Sequence, residues 1–138
     1  MTRHRGSIIG LLAISVVLAG CGVATTSPAP PTTTTTLTAI DQGKTVLLVV
    51  GDYLNVHLHG GAGDPWSSLR ISNDGVLADQ LTALLALGVG DAGGAFRAIA
   101  VGSVTLTAVQ TPVCAKEHPA CAQPSRAFGL HVVVAAYS

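Results

Sequence analysis

The sequence has little charge and few aromatic side chains. Charged residues occupy 10% of its 138 positions and aromatic residues 4%, and its basic and acidic residues balance at a formal net charge of zero. Because Lys and Arg form no cluster, the chain lacks the positive patch that nucleic-acid binding requires. Low charge combined with 49% hydrophobic residues excludes a wholly disordered chain. This length is enough for one ordinary domain and excludes a multidomain enzyme.

The motifs of common enzyme and cofactor sites are also missing. The sequence contains no G-x-S-x-G elbow, no H-E-x-x-H zinc motif and no phosphate-binding loop. Residues 88–93, GVGDAG, match G-x-G-x-x-G. That fingerprint needs a strand before it and a helix after it, whereas here a possible helix precedes it and a strand follows. We therefore expect neither enzymatic activity nor a bound cofactor.

The N-terminus has the pattern of a secretory signal. Arg3 and Arg5 precede an apolar run, Ser7–Gly20, which is shorter than the roughly 20 residues of a membrane-spanning helix. The run ends in LAGC at Cys21, which resembles the bacterial lipobox, in which the cysteine is acylated and becomes the new N-terminus. The sequence predicts a signal peptide at 1–20, lipidation of Cys21, and export to the extracytoplasmic side of the cell membrane. The alternative is a buried apolar helix that happens to contain a cysteine.

A polar segment follows the cysteine and precedes the folded part of the chain. Residues 22–36, GVATTSPAPPTTTTT, are rich in Pro and Thr. Such a composition favours an extended, disordered linker, because it offers too little apolar surface to bury. The sequence therefore predicts a lipidated linker at 21–36 and one domain at 37–138.

The domain has the sequence pattern of an all-β protein. Short β-branched or alternating runs bounded by Gly, Asp or Pro predict strands at Thr45–Val50, Tyr53–His59, Ala95–Val101, Ser103–Gln110 and Phe128–Ala136. Asn73-Asp74-Gly75 predicts a tight turn after a short run at Leu69–Ser72. Residues 78–87 are rich in helix formers, and the sequence does not decide between a helix and a strand there. Several short strands separated by Gly, Asp or Pro favour a β-sandwich or a barrel.

Two cysteines and three histidines are candidates for chemistry in the domain. Cys114 and Cys121 lie in an exported chain, which favours a disulfide that closes a long hairpin loop. The alternative is a metal site in which His118 joins the two thiols, although zinc favours a closer cysteine spacing. His57 and His59 share one face of a predicted strand, where they either chelate a transition metal or are simply solvated.

Three spaced segments together resemble the chagasin-type family of cysteine peptidase inhibitors, which are small exported immunoglobulin-like sandwiches. Thr45–Trp66 resembles the family's strand, Gly-acid turn, alternating strand and Trp-ended loop. Gly88–Thr107 is similar to its glycine-rich loop and the two strands that follow. Phe128–Val134, FGLHVVV, is similar to its last strand. The resemblance implies an all-β, immunoglobulin-like β-sandwich.

In that family, three loops at one end of the sandwich enter the peptidase cleft and block it. By position, the resemblance implies peptidase contacts from Gly60, Gly61, Ala62, Gly63 and Asp64 with Trp66 behind them, from Gly90, Asp91, Ala92, Gly93 and Gly94, and from Thr111, Pro112 and Val113. The sequence departs from the family in two loops. Residues 60–64 read GGAGD in place of Asn-Pro-Thr-Thr-Gly, and 111–113 read TPV in place of Arg-Pro-Trp.

These observations leave three function classes. The first is a membrane-anchored lipoprotein whose domain inhibits a papain-like cysteine peptidase. The second is an envelope lipoprotein that uses the same scaffold for structure or protein interaction without inhibition. The third is small-molecule or metal binding through His57, His59 and His118.

Overall fold

The computed structural model describes residues 27–80 and 86–138, which form strands joined by turns, loops and two short 3-10 helices. The strands are β1 (Thr34–Thr38), β2 (Thr45–Val49), β3 (Tyr53–Leu58), β4 (Arg70–Ile71), β5 (Leu77–Asp79), β6 (Ala92–Ala98), β7 (Gly102–Gln110) and β8 (Arg126–Ala135). The 3-10 helices span Ala39–Asp41 and Val113–Lys116. The predicted signal peptide and the predicted lipidation site at Cys21 lie outside the described residues.

The strands form two four-stranded sheets. The first sheet has the order β1-β3-β6-β5 and the second has the order β2-β8-β7-β4. Most neighbours are antiparallel, but β1 runs parallel to β3, and β2 runs parallel to β8. The predicted all-β, immunoglobulin-like sandwich is thereby confirmed.

One hydrophobic core lies between the sheets, because alternate residues of each strand point inward. In β3, the burial pattern alternates strictly along the strand, and the same alternation runs through β7 and β8. The largest side chains with almost no exposure come from both sheets: Phe128, Leu54, Leu58, Leu77, Leu106, Leu130, Val56, Val104, Val132 and Val134.

The strand predictions at β2, β3, β7 and β8 agree with the structure to within one or two residues. The first strand was missed, because its threonines were assigned to the linker. β1 begins at Thr34, so the predicted domain start at residue 37 falls inside a strand. The buried carboxylate of Asp52 accepts hydrogen bonds from the backbone N–H groups of Thr33 and Val49, each at 2.9 Å. These bonds hold the start of β1 against the β2–β3 turn and lower the pKa of Asp52.

The predicted turn at Asn73-Asp74-Gly75 is present. The side chain of Asn73 accepts a hydrogen bond from the N–H of Gly75 at 3.0 Å, as an Asx turn does. The turn joins β4 in the second sheet to β5 in the first, so it carries the chain across the sandwich. Residues 77–79 form a strand, which excludes a helix at the start of the 78–87 segment. Residues 81–85 lie outside the described part of the chain.

No helix within residues 27–80 and 86–138 is long and apolar enough to span a membrane.

Candidate functional site

Three loops lie at one end of the sandwich, which we call the loop end. Loop 1 (residues 59–69) connects β3 to β4, loop 2 connects β5 to β6 and is described at residues 86–91, and loop 3 (residues 111–125) connects β7 to β8. The last residue of β3, Leu58, pairs with the first residue of β6, Ala92. An isolated bridge between Trp66 and Gln110 joins loop 1 to the end of β7. The loops of both sheets therefore meet at one place.

Loops 1 and 2 contact each other through backbone that only glycine allows. The N–H of Trp66 donates to the carbonyl of Gly90 at 2.9 Å. A Cβ atom on Gly60 would overlap the carbonyl of Gly90, and a Cβ on Gly90 would overlap that of Gly61. Gly90 also has a φ of 83°, a conformation that side chains rarely adopt. The glycines of the two loops thus permit a close approach of two backbones.

The carboxylate of Asp91 connects loop 2 to loop 1 and to β3. It accepts hydrogen bonds from the backbone N–H of Gly60 at 2.8 Å and of Gly88 at 3.1 Å. His57 Nε2 lies 3.1 Å from one carboxylate oxygen, and His59 Nδ1 lies 3.0 Å from the other. The Asp91 side chain is only 6% exposed, whereas the His59 ring is 86% exposed. Asp91 is therefore an internal support of the loop end.

These contacts lower the pKa of Asp91 to about 2, from an ordinary value of 3.8. The hydrogen bond from the Gly60 backbone is the largest cause, and desolvation of the carboxylate opposes it. The contacts with His57, with the Gly88 backbone and with His59 lower the pKa further. Each of these groups stabilises the ionised carboxylate, which therefore persists far below neutral pH.

Loop 3 is joined to the other side of loop 1. The N–H of Val113 donates to the carbonyl of Gly63 at 2.8 Å, and the N–H of Thr111 donates to that of Pro65 at 3.1 Å. The side chain of Gln123 donates to the Asp64 carboxylate at 3.2 Å. Loop 1 thus has loop 2 on one side and loop 3 on the other.

The predicted disulfide between Cys114 and Cys121 is present, with their Cα atoms 5.4 Å apart. It closes the outer part of loop 3, and the N–H of Cys121 also donates to the carbonyl of Cys114 at 3.2 Å. Because both sulfurs are bonded to each other, the alternative zinc site with His118 has no free thiolate. Among the described residues, no three His, Cys, Asp or Glu side chains are grouped as metal ligands.

Trp66 lies within loop 1, after residues 60–64, and packs against the hydrophobic core. Its ring meets that of Phe128 edge-on, with centroids 6.4 Å apart and an interplanar angle of 83°. Its indole N–H donates to the carbonyl of His59 at 3.1 Å. Trp66 therefore attaches loop 1 to the hydrophobic core at one edge and to the end of β3 at the other.

The predicted extent of loop 2 is wrong at its C-terminal side. Ala92, Gly93 and Gly94 belong to β6, and Ala92 is buried. The two glycines suggest a loop, but Gly94 lies in a strand, where the side chain of Phe96 packs over it. The Phe96 ring covers it so closely that a Cβ there would be 2.7 Å from the end of the ring. Loop 2 thus ends at Asp91, earlier in the chain than the sequence predicted.

Other predicted contact residues differ in their exposure. Pro112 is buried, whereas Val113 is 43% exposed. Val89 is not among the contact residues named above, yet it lies in the Gly88–Asp91 turn of loop 2 with 80% exposure. The sequence feature that indicates the exposure of Val89 is its position between two glycines, because an apolar residue in such a turn has no neighbouring side chain to cover it. Val89 and Val113 give the loop end an apolar surface on both sides of loop 1.

His57 in β3 and His59 just after it lie on the solvated face of the strand, as one of the two alternatives predicts, and they also have a partner that the sequence did not indicate. Their rings contact the two carboxylate oxygens of Asp91. Along the chain, Asp91 lies 34 positions after His57 and 32 positions after His59. An i, i+2 pair of histidines on a strand indicates a shared face, but it does not reveal a partner so distant in sequence.

Comparison with solved structures finds similar folds at low sequence identity. The cysteine protease inhibitor EhICP2 from Entamoeba histolytica superposes with a TM-score of 0.54 at 16% identity, over 78% of this chain and 100% of that one. Amebosin gives a TM-score of 0.41 at 19% identity, over 77% and 100% of the two chains. PbICP-C, solved in complex with falcipain-2, gives 0.43 at 15% identity, over 74% and 91%.

The comparison with EhICP2 confirms the chagasin-type resemblance at the level of the fold. No family model matches the sequence, and no curated protein matches it.

Proposed function

We propose that the domain inhibits a papain-like cysteine peptidase by inserting its loop end into the active-site cleft. The observation that carries the proposal is the convergence of loops 1, 2 and 3 at one end of the sandwich, where loops 2 and 3 are each hydrogen-bonded to loop 1. This arrangement occurs in a fold that it shares with a cysteine protease inhibitor.

The chemistry of the loop end suits a narrow cleft. Loop 1 has glycine at residues 60, 61 and 63, so its backbone can approach a groove closely. Exposed Val89 and Val113 offer apolar contacts on either side. Because the Asp91 carboxylate, the disulfide and the interloop bonds already fix the loops, binding loses little conformational entropy. The same bonds keep loop 1 from relaxing into a substrate-like strand that the peptidase could cut.

A titration of residues 27–138 against papain tests the proposal. We expect inhibition at nanomolar to low micromolar concentration. Val89→Asp places a charge on the Gly88–Asp91 turn of loop 2 and should weaken inhibition about tenfold or more, because the charge loses its water on binding. Val101→Asp is the matched control, since Val101 is also exposed, at 61%, but lies in the β6–β7 turn at the opposite end. Equal inhibition by the two variants would mean that the loop end is not the contact surface.

A second candidate function is protein interaction without inhibition. It is favoured by residues 60–64 and 111–113, which lack the family motifs Asn-Pro-Thr-Thr-Gly and Arg-Pro-Trp. A well-folded domain that leaves papain fully active at high micromolar concentration would support this candidate and contradict the first.

We also propose that the chain is a lipoprotein, anchored to the extracytoplasmic side of the cell membrane through acylated Cys21. The support is the sequence of residues 1–21, in which an apolar run after two arginines ends in LAGC. Two or three acyl chains anchor a protein firmly, at about 0.8 kcal/mol for each buried methylene. Cys21→Ala should move the protein out of the membrane fraction, whereas Cys114→Ala should leave it there. Membrane retention of Cys21→Ala would contradict the anchor.

A further inference from the structure

The chain enters the domain at a defined place. The backbone N–H of Thr33 donates to the carboxylate of Asp52 at 2.9 Å, and its carbonyl accepts from the N–H of Tyr53 at 2.8 Å. From Thr34 onward the chain continues as β1, paired with β3. Thr33 is thus fixed to the domain, and any tether from Cys21 ends there.

This place lies at the end of the sandwich opposite the loops. β1 runs parallel to β3, with Thr34 beside Tyr53, the first residue of β3. Loop 1 begins after Leu58, at the other end of β3. Around Thr33 lie the β2–β3 turn and the β6–β7 turn, which are joined by a 2.8 Å hydrogen bond from Gly51 to Ala98. We call this the linker end.

The C-terminus leaves the domain at the linker end as well. The N–H of Val50, in the β2–β3 turn, donates to the carbonyl of Ala135, the last residue of β8. Neither end of the described domain therefore crosses the loop end. The exposed turn at the linker end, residues 99–101, reads Ile-Ala-Val. It carries no charge that would oppose approach to a membrane.

The dimensions separate the loop end from an anchor. β7 runs from the linker end to the loop end over Gly102–Gln110, which at about 3.3 Å per residue is roughly 30 Å. Residues 22–32 separate Cys21 from Thr33, and about 11 residues reach at most roughly 40 Å when fully extended. The attachment point therefore stays within roughly 40 Å of the membrane, and the loop end lies roughly 30 Å from it along the domain.

From this geometry we infer that a lipid anchor on Cys21 holds the linker end toward the membrane and presents the loop end to the space beyond. The loop end then meets a soluble protein, or one carried on an opposing surface, more readily than a protein lying flat on the same membrane. This inference rests on the proposed lipid anchor but not on inhibition, since it concerns any partner of the loop end.

Energy transfer to a membrane tests the orientation. Val89→Cys and Val101→Cys, labelled separately with a donor fluorophore, compare two exposed valines at opposite ends of the domain. The full-length acylated protein, with its disulfide intact, would be isolated from membranes and reconstituted into vesicles that contain an acceptor lipid. We expect the donor at position 101 to be quenched at least twofold more than the donor at position 89.

The outcomes separate the inference from the proposals beneath it. Equal quenching at the two positions, or stronger quenching at position 89, would overturn the orientation while leaving the anchor in place. If the labelled proteins are not membrane-bound at all, the proposed anchor is contradicted, and so is the inferred orientation, which rests on it. Papain inhibition by vesicles that carry the Val101→Cys protein is a separate measurement, and its absence would contradict the inhibitor proposal alone.

Discussion

The carboxylate of Asp91 accepts a hydrogen bond from the backbone N–H of Gly60 at 2.8 Å, across two loops that are far apart in sequence. The bond places the start of loop 1 against the base of loop 2. With His57 and His59 on the same carboxylate, the end of β3 and both loops form one supported unit. The shape of the loop end therefore depends on a side chain that is itself almost covered.

Replacing Asp91 should loosen the loop end. In Asp91→Asn, one carboxylate oxygen becomes an amide that cannot accept a hydrogen bond, so at least one of the present donors loses its partner. We expect a melting temperature lower by roughly 5 °C and weaker inhibition of papain. Asp74→Asn is the matched control, because Asp74 lies exposed in the β4–β5 turn. Unchanged melting in Asp91→Asn would mean that the loops are held without this carboxylate.

Acid should destabilise the domain in a defined pH range. The pKa of Asp91 is about 2 in the folded chain and 3.8 as its ordinary value, and the pKa of Asp52 is also lowered. A lowered pKa means that the stabilisation is complete above about pH 4 and is lost as the pH falls toward 2. Urea unfolding at a series of pH values should show a constant midpoint from pH 7 to 5 and a decline below 4. In Asp91→Asn the decline should be shallower, and an equal slope in both proteins would contradict this account.

Glycine substitutions in loops 1 and 2 should differ by position. Gly90→Ala requires a side chain at a φ of 83° and against the carbonyl of Gly61. We expect a loss of about 2 kcal/mol or more in the free energy of unfolding. Gly63→Ala, in the same region, meets nothing within 4 Å, so its change should stay within about 0.5 kcal/mol. Urea titrations of both variants make the comparison, and equal losses would exclude close backbone approach as the cause.

Reduction of the Cys114–Cys121 disulfide should destabilise the domain modestly. The bond closes a short loop, for which the chain-entropy estimate is about 2.5 kcal/mol. The urea midpoint of the wild-type domain should therefore fall when a reductant is added. A double variant, Cys114→Ser with Cys121→Ser, should match the reduced wild type and should not respond to reductant. If the urea midpoint of the wild-type domain does not change when reductant is added, loop 3 is held by its hydrogen bonds alone.

The sequence predicted those features of the fold that follow from local pattern. Strict alternation in β3 and β7 identified both strands and their buried faces, because a strand presents successive side chains to opposite sides. The disulfide followed from two remaining cysteines in a chain that the sequence predicts to be exported. The tight turn followed from Asn73 and Gly75, whose chemistry is local.

The features that were missed depend on contacts between distant residues. Thr34–Thr38 resembles a linker in composition, and only its pairing with β3 and the Asp52 carboxylate make it a strand. Gly94 suggests a loop until the Phe96 ring is placed over it. The support that the Asp91 carboxylate gives to the loop end was also missed, because its partners lie in β3 and loop 1.

The position of β8 has a consequence for how the chain is made. β8 is the last strand in sequence, yet it lies between β2 and β7 and is the partner of both. A chain emerging N-terminus first, from a ribosome or a secretion channel, has no partner for β2 until residues 126–135 appear. The second sheet therefore closes only after residues 126–135 have emerged, and β2 has no partner strand until then.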